Sequence, residues 1–209
     1  MTKRTSAKSS RRALAKESSG SAAECIGKIE NGISLFAITR GQFSMIDAIQ
    51  HSLVEIGGGH ISVWTWAIAD YEVEVFTALM LDARIKTAQL VIDMSAERRN
   101  SDLIAQWRSR FGPKSVRVCK NHAKIARVWN DDFRVLLRGS MNLNFNPRFE
   151  QFDLTEGGAD FDLVEQIENE MPIIAPNASN AEADHATGLT AAFSSDVLNL
   201  FPAAKVWAK

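Results

Sequence analysis

Hydrophobic positions along the chain switch between the period of a strand and that of a helix. Short apolar runs rich in β-branched and aromatic residues predict strands at residues 33–38, 61–68, 88–93 and 115–119. Apolar residues at helical spacing predict helices at residues 43–56, 70–80 and 95–111. Strands that alternate with helices indicate an α/β fold, with a mixed, mostly parallel sheet flanked by helices.

The middle of the chain departs from this alternation. Residues 124–129 (KIARVW) and 133–138 (FRVLLR) flank Asn130-Asp131-Asp132, a sequence typical of turns. A hairpin is therefore predicted at this position. A further helix is predicted to start within residues 161–169.

The two ends of the chain differ in composition from its centre. Residues 1–22 are Ser, Lys, Arg and Ala with Leu14 as the one large apolar residue after Met1, which predicts a disordered basic arm. The α/β domain is expected over residues 23–171. Residues 172–209 are expected to be a linker, rich in Ala, Asn, Pro and acids, followed by a short helical segment.

The overall composition is that of a globular domain. The chain has 209 residues, of which 45% are hydrophobic and 23% are charged, so disorder throughout is excluded. Two cysteines, Cys25 and Cys119, are too few for a disulfide scaffold and fit no metal-ligand spacing. We therefore expect a reduced, cytoplasmic protein with no metal and no cofactor. No apolar run approaches the roughly 18 residues of a membrane span and no secretory signal is present, so no membrane partner is expected.

Charge is distributed unevenly, although the net charge is only −1. Residues 1–20 carry six basic residues and one acid, and residues 84–138 carry 13 basic and 5 acidic residues. Residues 150–184 carry ten acids and no Lys or Arg. The basic middle of the chain can hold a polyanion, which favours a phosphate-rich partner.

Two short motifs on either side of the predicted hairpin carry candidate chemistry. His122 and Lys124 are two residues apart, so in a strand they point to the same face. Gly139, Ser140 and Asn142 follow where the second hairpin strand ends. Glycine allows close backbone approach, Ser and Asn donate hydrogen bonds, and Lys supplies a positive charge. These groups together can bind a phosphoryl group, and an imidazole can attack phosphorus or protonate a leaving oxygen.

His-x-Lys, a hairpin and Gly-Ser-x-Asn in this order resemble the HKD motif of the phospholipase D superfamily. The close match covers residues 122–153, and the broader alternation of strands and helices covers roughly 33–170. The resemblance implies a phospholipase D-like fold and metal-independent phosphodiester hydrolysis through a phospho-histidine. By the same resemblance His122 would be the nucleophile or the general acid, and the phosphate would be bound by Lys124, Gly139, Ser140 and Asn142.

The resemblance also implies acidic residues near the motif. Family members place an acid downstream that orients the His, and Glu150 sits where that role is expected, with Asp153 as the alternative. The motif's own Asp is replaced by Trp129, seven residues after His122, and the gap to Gly-Ser is three residues longer than in the pattern. Asp131 or Asp132 is the candidate to substitute for it from the lengthened turn.

The chain contains a single His-x-Lys, whereas a complete site of this family needs two. Single-motif members supply both as a homodimer with the site on the two-fold axis, and two-fold dimers are also the commonest oligomers. We therefore expect a homodimer in which His122 of each subunit takes one role.

Three functions remain open from the sequence. The basic middle favours a nuclease on DNA or RNA that binds phosphates without reading bases. The alternative is a catalytically inactive phospholipase D-like protein that binds nucleic acid or a protein partner. A lipid phosphodiesterase is the third. Aromatic residues are not part of these predictions, because Trp64, Trp66 and Trp107 are expected in the core rather than in base stacking.

Overall fold

The computed structural model describes residues 12–18, 20–145 and 147–174, together with residues 179 and 182. Its strands are β1 (Arg12–Ser18), β2 (Ile33–Thr39), β3 (Gly59–Thr65), β4 (Ile85–Asp93), β5 (Val116–Cys119), β6 (Ile125–Trp129), β7 (Arg134–Gly139) and β8 (Glu150–Glu156). Its helices are α1 (Ala22–Ile26), α2 (Met45–Glu55), α3 (Asp70–Leu81), α4 (Met94–Arg99), α5 (Ser101–Phe111) and α6 (Ala159–Glu170). None of these helices is long and apolar enough to cross a membrane.

All eight strands of the described residues form one sheet, in the order β1-β2-β8-β7-β6-β3-β4-β5. The predicted mixed α/β fold with flanking helices is confirmed. The predicted excess of parallel pairs is wrong: three pairs are parallel and four are antiparallel. The reason is that β6, β7 and β8 form an antiparallel meander between β2 and β3, so only the outer strands keep the parallel pairing that helical crossovers produce.

Two strands were not predicted. β1 pairs in parallel with β2, with Arg12 opposite Ile33 and Ser18 opposite Thr39, so residues 12–18 are not the disordered arm expected there. Edge pairing uses backbone groups that every residue carries, and Leu14 adds a contact with the core. The other unpredicted strand is β8, whose alternating Phe152 and Leu154 are fully buried. Residues 1–11, and nearly all of the predicted linker and C-terminal helical segment, lie outside the described residues.

Helices cover the two faces of the sheet unequally. The large core joins residues of β2, β3, β4, β6 and β7 to α1, α2, α3 and α5, with Trp107 and Phe76 packed edge to face at its centre. A second, small cluster joins Leu136 of β7 to Phe161 and Val164 of α6. Because Leu136 and Leu137 are neighbours on one strand and belong to different clusters, α6 lies on the face opposite the large core.

One edge of this sheet gathers most of the residues singled out by the sequence. We call it the site edge: the C-terminal ends of β2, β3, β4, β5 and β7, together with the N-terminal ends of β6 and β8. The turn between β6 and β7 lies at the opposite edge. In open α/β sheets, ligands bind outside the carboxyl ends of the parallel strands, which is where the site edge lies.

Candidate functional site

His122 and Lys124 lie on the segment that leads from β5 into β6 at the site edge. The side chain of His122 is exposed. Lys124 Nζ donates a hydrogen bond to the carbonyl oxygen of His122, at 3.0 Å. The ammonium group is thus held next to the backbone of His122, while the imidazole faces solvent.

Ser140 and Glu150 meet across β7 and β8 at the same edge. Ser140 Oγ donates to the carboxylate of Glu150 and accepts from the backbone N–H of Gln151, at 2.9 Å. Glu150 is 7% exposed, and Arg148 Nε lies 3.9 Å from its other oxygen. Glu150 therefore contacts Ser140, and no described side chain hydrogen-bonds the His122 ring. The expected contact between Glu150 and His122 is not formed within this chain.

Gly139 connects the two motifs through the backbone. Its N–H donates to the carbonyl oxygen of Lys124, at 3.2 Å, which joins the end of β7 to the start of β6. A Cβ at this position would overlap the carbonyl oxygen of Gln151 on β8. Glycine is thus required here by the close approach of a neighbouring strand, which the sequence analysis attributed to an approaching phosphate.

Asn142 connects the site edge to helix α2. Its carbonyl oxygen accepts from the N–H of Met45, at 3.1 Å, and the next carbonyl, of Leu143, accepts from Ile46, at 3.4 Å. These bonds satisfy N–H groups that the first turn of a helix leaves without an intrahelical partner. The side chain of Asn142 is half-buried.

Asp153 lies on the other face of the sheet from Glu150. It is opposite Arg138 on β7 and accepts a hydrogen bond from Gln151. Burial raises the pKa of Asp153, an effect that Arg138 partly offsets. Because residues three apart on a strand point to opposite faces, Glu150 and Asp153 cannot both serve one site.

Asp131 and Asp132 are far from these groups. Both are exposed in the turn at the opposite edge, separated from Lys124 by the whole of β6, roughly 16 Å at about 3.3 Å per residue. Asn130 holds this turn instead. Its amide donates to the carbonyl oxygens of Ile56 and Gly58, and its oxygen accepts from the N–H groups of residues 132 and 133.

Asn121 is a site-edge residue that the sequence analysis missed. It is 6% exposed, and its amide donates to the carbonyl oxygens of Thr65 and Val91, at 3.0 and 3.4 Å. Its oxygen accepts from the N–H of Ala123, at 2.9 Å, and Asp93 accepts from its own N–H. Asn121 therefore ties the residues on either side of His122 to β3 and β4. The signal in the sequence was its position directly before His122.

Three arginines of the basic middle of the chain are paired with acids of helix α6. Arg127 is 3% exposed and binds Glu165 and Glu168, Arg134 binds Asp162, and Arg138 binds Asp160 at 2.7 Å. Burial raises the pKa of Asp160, but hydrogen bonds from Arg138 and Thr155 outweigh it and hold that pKa below its usual range. The acidic end of the chain is thus a partner of the basic middle.

The tryptophans divide into buried and exposed residues. Trp107 is fully buried, as predicted. Trp64 is partly buried, and its indole N–H donates a hydrogen bond to the carboxylate of Glu168, at 2.7 Å. Trp66 is 41% exposed, so its prediction as a core residue is wrong. It comes directly after β3, where the chain leaves the sheet at the site edge, and the guanidinium of Arg99 lies 5.3 Å from its ring centre.

Two further features bear on the chemistry of the described residues. Burial and the charge of Asp93 raise the pKa of the Cys119 thiol to about 11, so this cysteine is a poor nucleophile. No three His, Cys, Asp or Glu side chains of the described ranges cluster as a metal centre requires.

Comparisons with known proteins give a distant likeness. No family model matches the sequence, and no curated protein matches it. A crystal structure of polyphosphate kinase from Porphyromonas gingivalis is similar with a TM-score of 0.45 and 13% sequence identity. The match covers 76% of this chain and 30% of that chain, so this chain spans less than a third of the kinase's length.

Proposed function

We propose that the protein is a metal-independent phosphodiesterase that cleaves DNA or RNA through a phospho-histidine intermediate. The observation that carries the proposal is the meeting of the two motifs at the site edge, where the Gly139 N–H bonds the Lys124 carbonyl. An exposed imidazole, an ammonium group and a hydroxyl therefore lie on chain segments that meet at this edge. These are the groups that nucleophilic attack at phosphorus requires.

The proposed reaction has two steps. In the first, a ring nitrogen of neutral His122 attacks phosphorus, and the P–O bond to the leaving nucleoside oxygen breaks. A protonated histidine donates its proton to that oxygen. In the second, the same histidine, now neutral, takes a proton from water, whose oxygen attacks phosphorus and breaks the P–N bond. Lys124 stabilises the charge on the non-bridging oxygens in both steps, and Ser140 adds a hydrogen bond once its O–H turns from the Glu150 carboxylate to the phosphate.

This reaction needs two histidines, and the sequence contains one His-x-Lys. We propose that a homodimer supplies the second, with His122 of the other subunit as the general acid. The exposure of His122 and its lack of a partner among the described side chains support this arrangement. Glu150 acts as a positioning residue that holds the Ser140 hydroxyl.

The test is cleavage of labelled single- and double-stranded DNA and RNA in excess EDTA, with phospholipid vesicles as a further substrate. We expect His122→Ala to lower the rate at least about a thousandfold, since it removes both the nucleophile and the acid. His60→Ala is the matched control, because His60 stacks on Trp129 at the far end of β3. Cleavage that needs a metal, or that survives His122→Ala, would contradict the proposal, as would turnover of lipid alone.

Two observations favour a second candidate function, a catalytically inactive protein that binds nucleic acid or a protein partner. Glu150 is engaged by Ser140, and Trp129 replaces the motif Asp. A folded dimer that cleaves nothing, and whose His122→Ala variant binds its partner as tightly as the wild type, would select this candidate.

A further inference from the structure

Two exposed aromatic rings flank the candidate site along the site edge. Trp66 follows Thr65, whose carbonyl oxygen binds the amide of Asn121, the residue before His122. Phe149 precedes Glu150, whose carboxylate binds Ser140. Each ring is therefore next in sequence to a residue that contacts one of the two motifs. The Trp66 ring lies on the β3 side of the motifs and the Phe149 ring lies on the β8 side.

Each ring is paired with an arginine. The guanidinium of Arg99, at the end of α4, lies 5.3 Å from the Trp66 ring centre. The guanidinium of Arg40, directly after β2, lies 5.4 Å from the Phe149 ring centre and is held by Glu17 of β1 at 2.7 Å. An arginine over a ring is a favourable cation–π contact. The charge of Arg99 can also bind phosphate, whereas that of Arg40 is paired with Glu17.

The rings remain accessible despite these contacts. Trp66 is 41% exposed and Phe149 is 67% exposed, although such side chains gain from burial. A cavity of about 340 Å³ adjoins the first ring through Arg99, with hydrogen-bonding groups on its wall from Asn100, Asp102 and Gln106. An aromatic face, a cation and amide groups are what unstacked nucleobases bind.

From this arrangement we propose that the site edge binds single-stranded nucleic acid, with bases stacked on Trp66–Arg99 and on Phe149–Arg40 and the phosphate between them at His122. The inference rests on the proposed function for the position of that phosphate. Bases in a duplex cover each other's faces, so only an unpaired strand can use both rings.

The distance between the two ring–arginine pairs, which we call the stacking platform, fits a single strand of nucleic acid. Phe149 precedes β8 and Trp66 follows β3, and these strands are separated by β7 and β6. Three strand intervals span roughly 14 Å, and stacked nucleotides of one strand rise about 3.4 Å each. A few nucleotides of one strand therefore reach from one ring to the other across the motifs.

The test measures binding rather than cleavage, in the His122→Ala background. A fluorescein-labelled single-stranded dT oligonucleotide and a hairpin duplex of equal length are titrated by fluorescence anisotropy at fixed salt. We expect Trp66→Ala and Phe149→Ala each to weaken single-strand binding about tenfold, and Trp66→Phe to restore most of it. Phe36→Ala is the matched control, because Phe36 is 43% exposed in the middle of β2 and away from the site edge.

The outcomes separate this inference from the nuclease proposal. The proposed stacking of bases on the two rings is wrong if Trp66→Ala and Phe149→Ala both bind the single strand with wild-type affinity. It is also wrong if they lose affinity equally for duplex and single strand, even if the wild type cleaves in EDTA. If binding depends on the rings but the wild type cleaves nothing, the stacking proposal is supported and the nuclease proposal is wrong. Unfolding midpoints of the variants within the error of the wild type confirm that binding, not folding, was changed.

Discussion

Two regions of this molecule contain nearly the same residue types but differ in how completely their polar groups are paired. The first is the site edge. The second we call the α6 cluster, which is formed by Ser62, Trp64, Arg127, Glu165 and Glu168. Glu168 is 1% exposed and accepts from Ser62, Trp64 and Arg127 at 2.6, 2.7 and 3.1 Å. At the site edge, by contrast, the His122 imidazole is exposed and is bonded to none of the described side chains.

The difference shows what residue type alone does not determine. A carboxylate that accepts hydrogen bonds from three side chains, one of them an arginine, has no capacity left for a ligand and links α6 to the sheet. The imidazole of His122 and the indole of Trp66 are exposed at the site edge, where their contacts leave surface available to a ligand. The two regions therefore differ more in how completely their polar groups are hydrogen-bonded than in their charge.

Removal of Glu168 is the strongest way to break the α6 cluster. We expect Glu168→Ala to lower the free energy of unfolding by about 3–5 kcal/mol, because it leaves Arg127 charged and buried. Urea denaturation measures this loss. Glu165→Ala is the matched control, since it binds the same arginine but is 42% exposed, and it should cost less than about 1 kcal/mol. Equal effects of the two variants would contradict the structural role of Glu168.

A pair of asparagines compares the two edges of the sheet directly. Asn121 ties the chain at the site edge and Asn130 ties the turn at the opposite edge, each through amide and carbonyl hydrogen bonds to the backbone. Each alanine variant should lower the free energy of unfolding by about 1–3 kcal/mol, because buried backbone groups lose a hydrogen-bond partner. Only Asn121→Ala should also lower the cleavage rate at saturating substrate. A rate loss in Asn130→Ala of the same size would show that both effects reflect stability alone.

The sequence predicted the fold where periodicity is strong. The strands and helices between residues 33 and 138 are confirmed, since their apolar patterns report burial directly. It failed for β1, whose Arg12–Ser18 segment is polar and is ordered by backbone pairing along an edge. It also predicted one helix over 95–111, which Asn100 divides into α4 and α5.

The candidate site shows the same limit. The order of His122, Lys124, Gly139 and Ser140 in the sequence could predict that they meet, because a hairpin returns the chain to the same edge. It could not predict that Glu150 bonds Ser140, or that Trp66 stays exposed, because both depend on which strands become neighbours. Pairing between strands that are distant in sequence is not encoded by any local pattern.

The smallest effect should come from the rim of α6, where Asp160 binds Arg138 and is only partly buried. The pKa of Asp160 is lowered, because hydrogen bonds from Arg138 and Thr155 outweigh the opposing effect of burial. Its ionised form therefore stabilises the fold above the usual carboxyl pKa, and this contribution is lost as the pH falls through the lower folded value. Wild type and Asp160→Asn should differ by less than about 1 kcal/mol in the free energy of unfolding at pH 7. This difference should begin to shrink near about pH 4, the usual carboxyl pKa, and should vanish below the folded pKa of Asp160. Urea midpoints across that range measure it, and comparison of the two proteins cancels the opposite contribution of Asp153, whose pKa is raised by burial. A difference that persists unchanged at pH 3 would show that Asp160 acts by packing, and the rim would then belong with the saturated α6 cluster.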